Sequence, residues 1–150
     1  MPGQIPCGDI HHLRLTVTDV QRSREFYTGL LGFQVAVESP PPDDPAAAEA
    51  HRVLFGGVVM IRGNLIMGLR PMAPAADHFD PDRVGLDHLS FGVAGREDLE
   101  QAVGLFDERG VAHGEPFPEL PTVSTHFVLR GLALLARSAL SAAWLTSSTW

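Results

Sequence analysis

The chain has 150 residues, of which 45% are apolar and 19% charged, which is the length and composition of one globular domain with a sizeable core. Its formal net charge of −7, without any cluster of Lys or Arg, excludes nucleic acid as a partner, since phosphate contacts need a basic surface. A lone cysteine, Cys7, no leader-like start and no apolar run of roughly 20 residues predict a cytoplasmic protein without disulfides or membrane contact.

The first predicted strand carries a histidine on one of its two faces. Polar and apolar side chains alternate through residues 10–17, so Leu13, Leu15 and Val17 share one face. The opposite face carries His12, Arg14 and Thr16. We therefore predict that one face of this strand is buried and that the other presents a histidine among polar groups.

A helix is predicted directly after this strand. The Asp19 side chain can accept hydrogen bonds from the free amide groups of a first helical turn. Apolar and small residues then recur at spacings of three and four through residues 20–31, which is the pattern of a helix with one buried stripe. Gly32 is expected to end the helix, because glycine readily adopts the left-handed cap conformation.

Three further strands are predicted before the middle of the chain. Residues 33–38 alternate as a strand, whereas residues 40–50 contain four prolines and predict an exposed loop with room for one helical turn. Residues 51–62 and 64–70 are predicted as two strands joined by a hairpin turn at Gly63. The order up to this point is strand, helix, strand, strand, strand.

The second half of the chain repeats the design of the first. Its first strand begins near Leu86, and His88 stands on it where His12 stands in the first copy. A helix headed by Arg96 and ended by Gly110 follows, and further strands are predicted over residues 111–115 and 122–130. The two halves therefore predict a duplicated supersecondary unit.

These features together resemble the vicinal oxygen chelate superfamily, the group of glyoxalases, bleomycin-resistance proteins and extradiol dioxygenases. The matching phrases are residues 12–19, 22–27, 30–33 and 85–91, within a similarity that covers roughly residues 10–130. The resemblance implies an α+β fold in which two tandem βαβββ modules form an open, cup-like barrel around a small ligand.

The resemblance also implies how the chain divides. We expect one domain over residues 1–150, with modules at about 10–70 and 85–135 joined by a connector at 71–84. The last strand and the tail at 136–150 are atypical of the family.

The tail loses the family pattern from residue 131 onward. Arg130 runs straight into an apolar stretch, without the turn that family members carry before their last strand. Should the tail not complete the second sheet, we predict that it forms a helix from about Leu132 to Trp144.

The family's metal site would use His12 and His88, whose imidazoles suit Zn, Fe, Mn, Ni or Co. Either histidine could instead line the cavity as an ordinary polar residue. Gly68 and Leu135 replace the side chains that would complete the ligand set. The residues expected to contact substrate are Arg14, Thr16, Ser90 and His126. Arg14 could instead pair with a neighbouring acid.

Two functions follow from this resemblance. The first is a glyoxalase-like enzyme, a metal-dependent lyase, isomerase or dioxygenase, whose divalent metal acts as a Lewis acid on an oxygenated substrate. The alternative is a metal-free protein that binds a drug or another small ligand without catalysis, as bleomycin-resistance proteins do. In both cases we expect a small-molecule partner and a homodimer.

Overall fold

The computed structural model describes residues 5, 7–41, 43–80 and 82–113, and the backbone of residues 126–129 and 143–144. The chain has α+β architecture and divides into two compact units, Met1–Ala75 and Ala76–Trp150. None of the helices in the described part of the chain is both long and apolar enough to cross a bilayer.

The first unit has the predicted order of elements with one helix added. Its elements are β1 (His12–Thr16), α1 (Val20–Gly29), β2 (Gln34–Glu38), α2 (Ala47–Leu54), β3 (Val58–Arg62) and β4 (Leu65–Arg70). The strands form a mixed sheet in the order β1-β4-β3-β2, in which only the β1–β4 pair is parallel. In that pair Leu15 lies opposite Leu69, and Arg14 lies opposite Gly68.

The predicted alternation in β1 is confirmed by burial. Leu15 and Val17 are buried, whereas His12, Arg14 and Thr16 on the other face are exposed. The same alternation continues across the sheet, and α1 packs against β4. The apolar face and α1 bury Leu15, Val17, Phe26, Tyr27, Val58, Met60, Met67 and Leu69.

The helix α1 begins as predicted. The amide of Arg22 donates to Asp19 Oδ1 at 3.0 Å, and the Ser23 hydroxyl donates to the Asp19 carbonyl at 2.7 Å. The last helical residue is Gly29, and Gly32 lies beyond it with φ of +69°. Gly32 therefore makes the left-handed turn into β2 rather than capping the last helical turn directly.

The prediction for residues 51–62 was wrong in its first part. Residues 51–54 belong to α2, and the strand β3 begins only at Val58. The alanines at 46–48 and 50 are strong helix formers, so the expected single turn propagates into the following residues. Phe55 ends the helix in the left-handed conformation, and Gly56 follows it with φ of +75°.

The second unit contains β5 (Leu89–Gly92), α3 (Arg96–Glu108), β6 (His126–Leu129) and β7 (Ala143–Trp144). Its strands form an antiparallel sheet in the order β5-β6-β7. The helix α3 begins at Arg96 as predicted and ends at the Arg109–Gly110 pair, where Gly110 has φ of +63°. Its apolar stripe buries Leu99 and Phe106.

Three predictions for the second unit need correction or stay open. The first strand starts at Leu89, so His88 precedes the strand rather than lying on it. A helix over 132–144 was expected only if the tail did not complete the second sheet, and Ala143–Trp144 instead pairs with β6 as a strand. Within the predicted strand 111–115, His113 forms an isolated bridge, and 114–115 lie outside the described residues. Within the predicted strand 122–130, residues 126–129 form β6, and the others lie outside the described residues, as do 131–142 and 145–150.

Tyr27, the only tyrosine of the chain, yields a prediction about alkaline stability. Its side chain is 1% exposed, and its hydroxyl has no hydrogen-bond partner in the described part of the chain. Burial raises the pKa of the Tyr27 phenol, because the anion would be poorly solvated. Above a pH of about 10 the unfolded state loses this proton while the native state keeps it, so stability falls as pH rises.

We therefore expect the tyrosinate absorbance to appear only together with unfolding. In Tyr27→Phe the free energy of unfolding should be unchanged or slightly higher near neutral pH, because the unpaired hydroxyl is removed. Above the ordinary tyrosine pKa its pH dependence should be shallower by up to about 1.4 kcal/mol per pH unit. Ionisation of Tyr27 in the folded protein near its ordinary pKa would contradict this assignment.

Candidate functional site

The side chains on the face of the first sheet opposite α1 form a mixed polar and apolar surface, which we call the open face. This surface consists of His12, Arg14, Thr16, Gln34, Val37, Val59, Ile61, Ile66, Gly68 and Arg70. The three substrate or metal candidates on β1, His12, Arg14 and Thr16, thus lie together on one face. The β1–β4 end of the open face is cationic. Its β2–β3 end is apolar at Val37, Val59 and Ile61 and also carries the exposed Gln34, which lies opposite Ile61.

Arg14 lies directly over Gly68. A Cβ atom added to Gly68 would stand 3.3 Å from Arg14 Nε and 3.4 Å from Arg14 Cγ. The missing side chain at position 68 therefore leaves the space that the arginine occupies. The place where family enzymes carry a metal-binding side chain is filled by a guanidinium group.

Phe55 brings a second arginine to the same place. The Phe55 ring centroid lies 5.5 Å from Arg14 Cζ and 4.5 Å from Arg70 Cζ, so both guanidinium groups are within cation–π range. Phe55 has φ of 56° and ψ of 32°, which is unusual for a bulky side chain. Its amide donates to the His51 carbonyl at 2.8 Å, which fixes this conformation at the end of α2.

Both arginines keep an uncompensated positive charge in the described part of the chain. Neither Arg14 nor Arg70 forms an ion pair there, so the prediction that Arg14 pairs with an acid finds no support among these residues. Arg70 is half-buried, and its Nε is buried without a hydrogen-bond partner. The Arg70 carbonyl accepts from the Val17 amide at 2.9 Å, which holds its backbone against β1.

His12 is exposed at the start of β1 and contacts the preceding histidine. The Nδ1 atoms of His11 and His12 are 2.9 Å apart, and the two rings meet edge to face with centroids 5.2 Å apart. One ring must donate and the other accept in this hydrogen bond. His12 therefore retains Nε2 for a ligand.

The site candidates of the second unit lie on or directly before the strands β5 and β6. His88 Nδ1 lies 2.6 Å from Asp87 Oδ2, and the His88 side chain is 31% exposed. This carboxylate orients the ring and leaves Nε2 as its second nitrogen. Ser90 is exposed on β5, and the backbone of His126 lies opposite Gly92 in β6. His12 and His88 thus belong to different units.

The residues of the open face do not fit a metal site of two histidines and a carboxylate. Groups of three His, Cys, Asp or Glu that could bind a metal are absent from the described residues. More decisively, a divalent cation near Gly68 would meet the positively charged Arg14 instead of an oxygen ligand. Leu135, the other substituted position, lies outside the described residues.

Two residues of this site escaped the sequence analysis. Phe55 was assigned to a strand, and no sequence signal marks a phenylalanine as a left-handed helix cap. Arg70 shares the alternation of Ile66 and Gly68 in β4, which is visible in the sequence. Its approach to Arg14 depends on the parallel pairing of β1 with β4, which the alternation alone does not reveal.

Comparison with known proteins agrees with this architecture. Residues 9–128 match the model of the Glyoxalase/Bleomycin resistance protein/Dioxygenase superfamily. The chain belongs to this superfamily. The predicted resemblance is thereby confirmed, and the match ends shortly before residue 131, where the family pattern was found to disappear.

Several known proteins resemble the chain over most of its length. The uncharacterized protein YwkD of Bacillus subtilis (strain 168) is 28% identical over 119 residues, covering 79% of this chain and 84% of YwkD. The crystal structure of a glyoxylase/bleomycin resistance protein/dioxygenase domain from Frankia sp. EAN1pec has a TM-score of 0.62 at 20% identity, covering 95% of this chain and 94% of that one.

A third similar structure is TnmS3, an antibiotic binding protein from Streptomyces sp. CB03234. It has a TM-score of 0.54 at 14% identity and covers 97% of this chain and 100% of its own. At these identities the two solved structures show a shared fold alone. The α+β class predicted from the sequence is confirmed by this likeness.

Proposed function

We propose that this chain is a ligand-binding member of the superfamily that binds a small organic molecule on the open face without a metal ion. The observation that carries the proposal is the position of Arg14 over Gly68. A guanidinium there repels a divalent cation and offers hydrogen-bond donors to a ligand oxygen. The predicted substrate contacts Arg14 and Thr16 keep their role in this proposal.

The composition of the open face also supports a small organic ligand. Val59, Ile61 and Ile66 lie beside the arginines, so apolar and polar ligand groups can be contacted at once. TnmS3, which shares the fold, is an antibiotic binding protein, so this fold is compatible with binding of a small organic molecule. We extend that kind of function to the present chain as a proposal.

A metal-dependent glyoxalase-like enzyme is the second candidate. The hydrogen bond between His88 and Asp87 favours it, because metal-binding histidines commonly donate their other ring nitrogen to a carboxylate. His12 and His88 would be the ligands of a Zn, Fe, Mn, Ni or Co ion, with Ser90 and His126 near the substrate. Removal of metal would then abolish substrate binding or turnover.

A thermal-shift experiment separates the two candidates. Benzoate and benzyl alcohol are added to the wild-type protein in the presence of EDTA, and Zn²⁺, Mn²⁺ and Ni²⁺ are added in separate samples. We expect at least one of the two organic compounds to raise the melting temperature in EDTA, because a ligand of the native state stabilises it. The same shift is expected for His12→Ala.

The opposite pattern would contradict the proposal. Stabilisation by a metal that is lost in both His12→Ala and His88→Ala, with neither organic compound acting in EDTA, would favour the enzyme. Elemental analysis of protein purified without an affinity tag serves as the control for a resident metal.

Assembly and location are proposed on separate grounds. We propose a homodimer, because the order β1-β4-β3-β2 makes β1 and β2 edge strands of this sheet and edge strands favour pairing between chains. Light scattering that gives the mass of a monomer would exclude the dimer. We propose a cytoplasmic location from the single cysteine, Cys7, and fractionation of cells would test it.

A further inference from the structure

We propose that the open face selects organic carboxylates that carry an apolar body, with Arg14 and Arg70 binding the carboxylate and Phe55 holding both arginines in place. This inference rests on the proposed function and adds to it the chemical class of the ligand. Four observations support this selectivity. They are the free hydrogen-bond donors of the two arginines, their charge, the apolar residues beside them on the open face, and the backbone conformation of Phe55.

The guanidinium groups of Arg14 and Arg70 form no hydrogen bond or ion pair within the described residues, which leaves their donors available. A guanidinium that contacts an aromatic ring through its face keeps the N–H groups of its edge directed away from the ring. The Cζ atoms of Arg70 and Arg14 lie 4.5 Å and 5.5 Å from the centroid of the Phe55 ring, which is within cation–π range. Two such edges beside one ring can bind the two oxygens of a carboxylate.

The charge at this place lacks a counterion in the described part of the chain. Arg70 Nε is buried and has no hydrogen-bond partner there, although a buried donor without a partner is destabilising. Arg70 is only half-buried as a whole, so a ligand carboxylate can be bound by the terminal N–H groups of the two guanidinium groups and neutralise their charge. An uncharged ligand of the same shape would be bound less tightly, since charge-assisted hydrogen bonds are stronger.

The apolar part of the ligand has a matching surface. Ile61 is 39% exposed and Val37 is 50% exposed, both on the β2–β3 end of the open face. Across the sheet, Arg14 is followed by Gly68, Val59 and Val37. Neighbouring strands are about 4.8 Å apart, so a carboxylate at Arg14 places a ring or short chain over Gly68 and Val59, toward Val37. The open face is therefore cationic at β1 and β4 and mainly apolar toward β3 and β2. These two parts match the carboxylate and the apolar body of the proposed ligand.

The backbone of Phe55 adds an independent argument. A bulky residue with positive φ carries backbone strain, which is why glycine is the preferred residue at such caps. Strain of this kind persists where another interaction holds the residue in place. At Phe55 two interactions do so, the hydrogen bond from its amide to the His51 carbonyl and the contact of its ring with the two guanidinium groups.

Calorimetric titrations with benzoate and benzyl alcohol, both in EDTA, test the inference. The two compounds share a ring and differ in the carboxylate, so we expect benzoate to bind at least about tenfold more tightly. Arg14→Gln and Arg70→Gln should each weaken benzoate binding by about tenfold and leave benzyl alcohol almost unaffected. Arg62→Gln is the matched control, because Arg62 is exposed on β3 outside the open face and its replacement removes the same charge.

Phe55→Asn examines the role of the ring separately. Asparagine tolerates the left-handed conformation, so the cap should persist while the support for the arginines is lost. We expect benzoate binding to weaken severalfold without a loss of thermal stability. Because this variant keeps all charges, it separates the positioning of the arginines from general electrostatic attraction.

The outcomes distinguish failure of the inference from failure of the proposed function. Equal affinity for the two compounds, or an equal loss of benzoate binding in Arg62→Gln, would overturn the carboxylate selectivity while ligand binding itself remained. If neither compound binds in EDTA, the proposed function fails as well. Circular dichroism of each variant verifies that a loss of binding does not reflect unfolding. Arg14 is exposed, so Arg14→Gln is expected to leave the protein folded.

Discussion

Replacement of Gly57 by alanine is expected to lower the free energy of unfolding by about 3 kcal/mol, although it adds a single methyl group. The added Cβ would overlap the carbonyl oxygen of Leu69 and stand 2.9 Å from the carbonyl oxygen of Leu54. Both obstacles are backbone atoms, which cannot move aside as a flexible side chain does. The strain must therefore be relieved by displacing β4 or the end of α2.

The surroundings of Gly57 make such a displacement unfavourable. The Gly57 amide donates to the Leu54 carbonyl at 2.9 Å, and its carbonyl accepts from the Ser39 amide at 3.0 Å. Moving this backbone would break hydrogen bonds that link α2, β3 and the end of β2. Since α2 also carries Phe55 at its end, the same substitution should disturb the open face.

Urea unfolding of Gly57→Ala beside Gly104→Ala measures this effect. Gly104 lies on the exposed side of α3 with no atom within 4 Å of an added Cβ. Its replacement by alanine should raise the free energy of unfolding by up to about 1 kcal/mol, since alanine is the better helix former. A loss below about 1 kcal/mol for Gly57→Ala would show that the backbone contact is looser than described.

Gly68→Glu is expected to reduce benzoate binding by more than about tenfold while the protein remains folded. The new carboxylate would lie beside Arg14, which is within 3.4 Å of an added Cβ, and would form an internal ion pair. A carboxylate attached to the chain beside Arg14 has a high effective concentration there, so it competes with the carboxylate of free benzoate for the guanidinium group. Arg14 is exposed, so it can shift by the few tenths of an ångström that the new side chain requires.

Gly68→Gln is the matched control, because glutamine has the same shape without the charge. Benzoate binding should fall less in Gly68→Gln than in Gly68→Glu. Equal losses in both variants would mean that the side chain blocks the open face by its size alone. Tight Zn²⁺ binding by Gly68→Glu would show that Arg14 does not prevent a metal from binding, contrary to the proposed function.

The parts of this fold that depend on neighbouring residues were predictable from the sequence. The alternation in β1, the Asp19 cap and the Gly63 hairpin, with φ of +56°, are set within a few residues and were confirmed. The helix α2 was missed because the prolines before it masked the helix propensity of its alanines. Helix and strand patterns are also ambiguous in a segment this short.

Only part of the candidate site could be predicted from the sequence. Arg14 and Thr16 could be placed on one face because strand alternation is local. The neighbourhood of Arg70 and Phe55 depends on two long-range facts, the β1–β4 pairing and the left-handed cap. Gly68 was noticed as a missing ligand, but the arginine that fills its space could be identified only from the fold. The predicted roles of Ser90 and His126 remain predictions.

Binding of a ligand to the open face without a metal is tested most directly by a chemical-shift titration of the isotope-labelled protein with benzoate in EDTA. We expect the largest amide shifts at Phe55, Gly68 and Arg70, and we expect these shifts to persist at any EDTA concentration. Largest shifts at Asp87 and His88, or shifts that appear only after Zn²⁺ is restored, would contradict it.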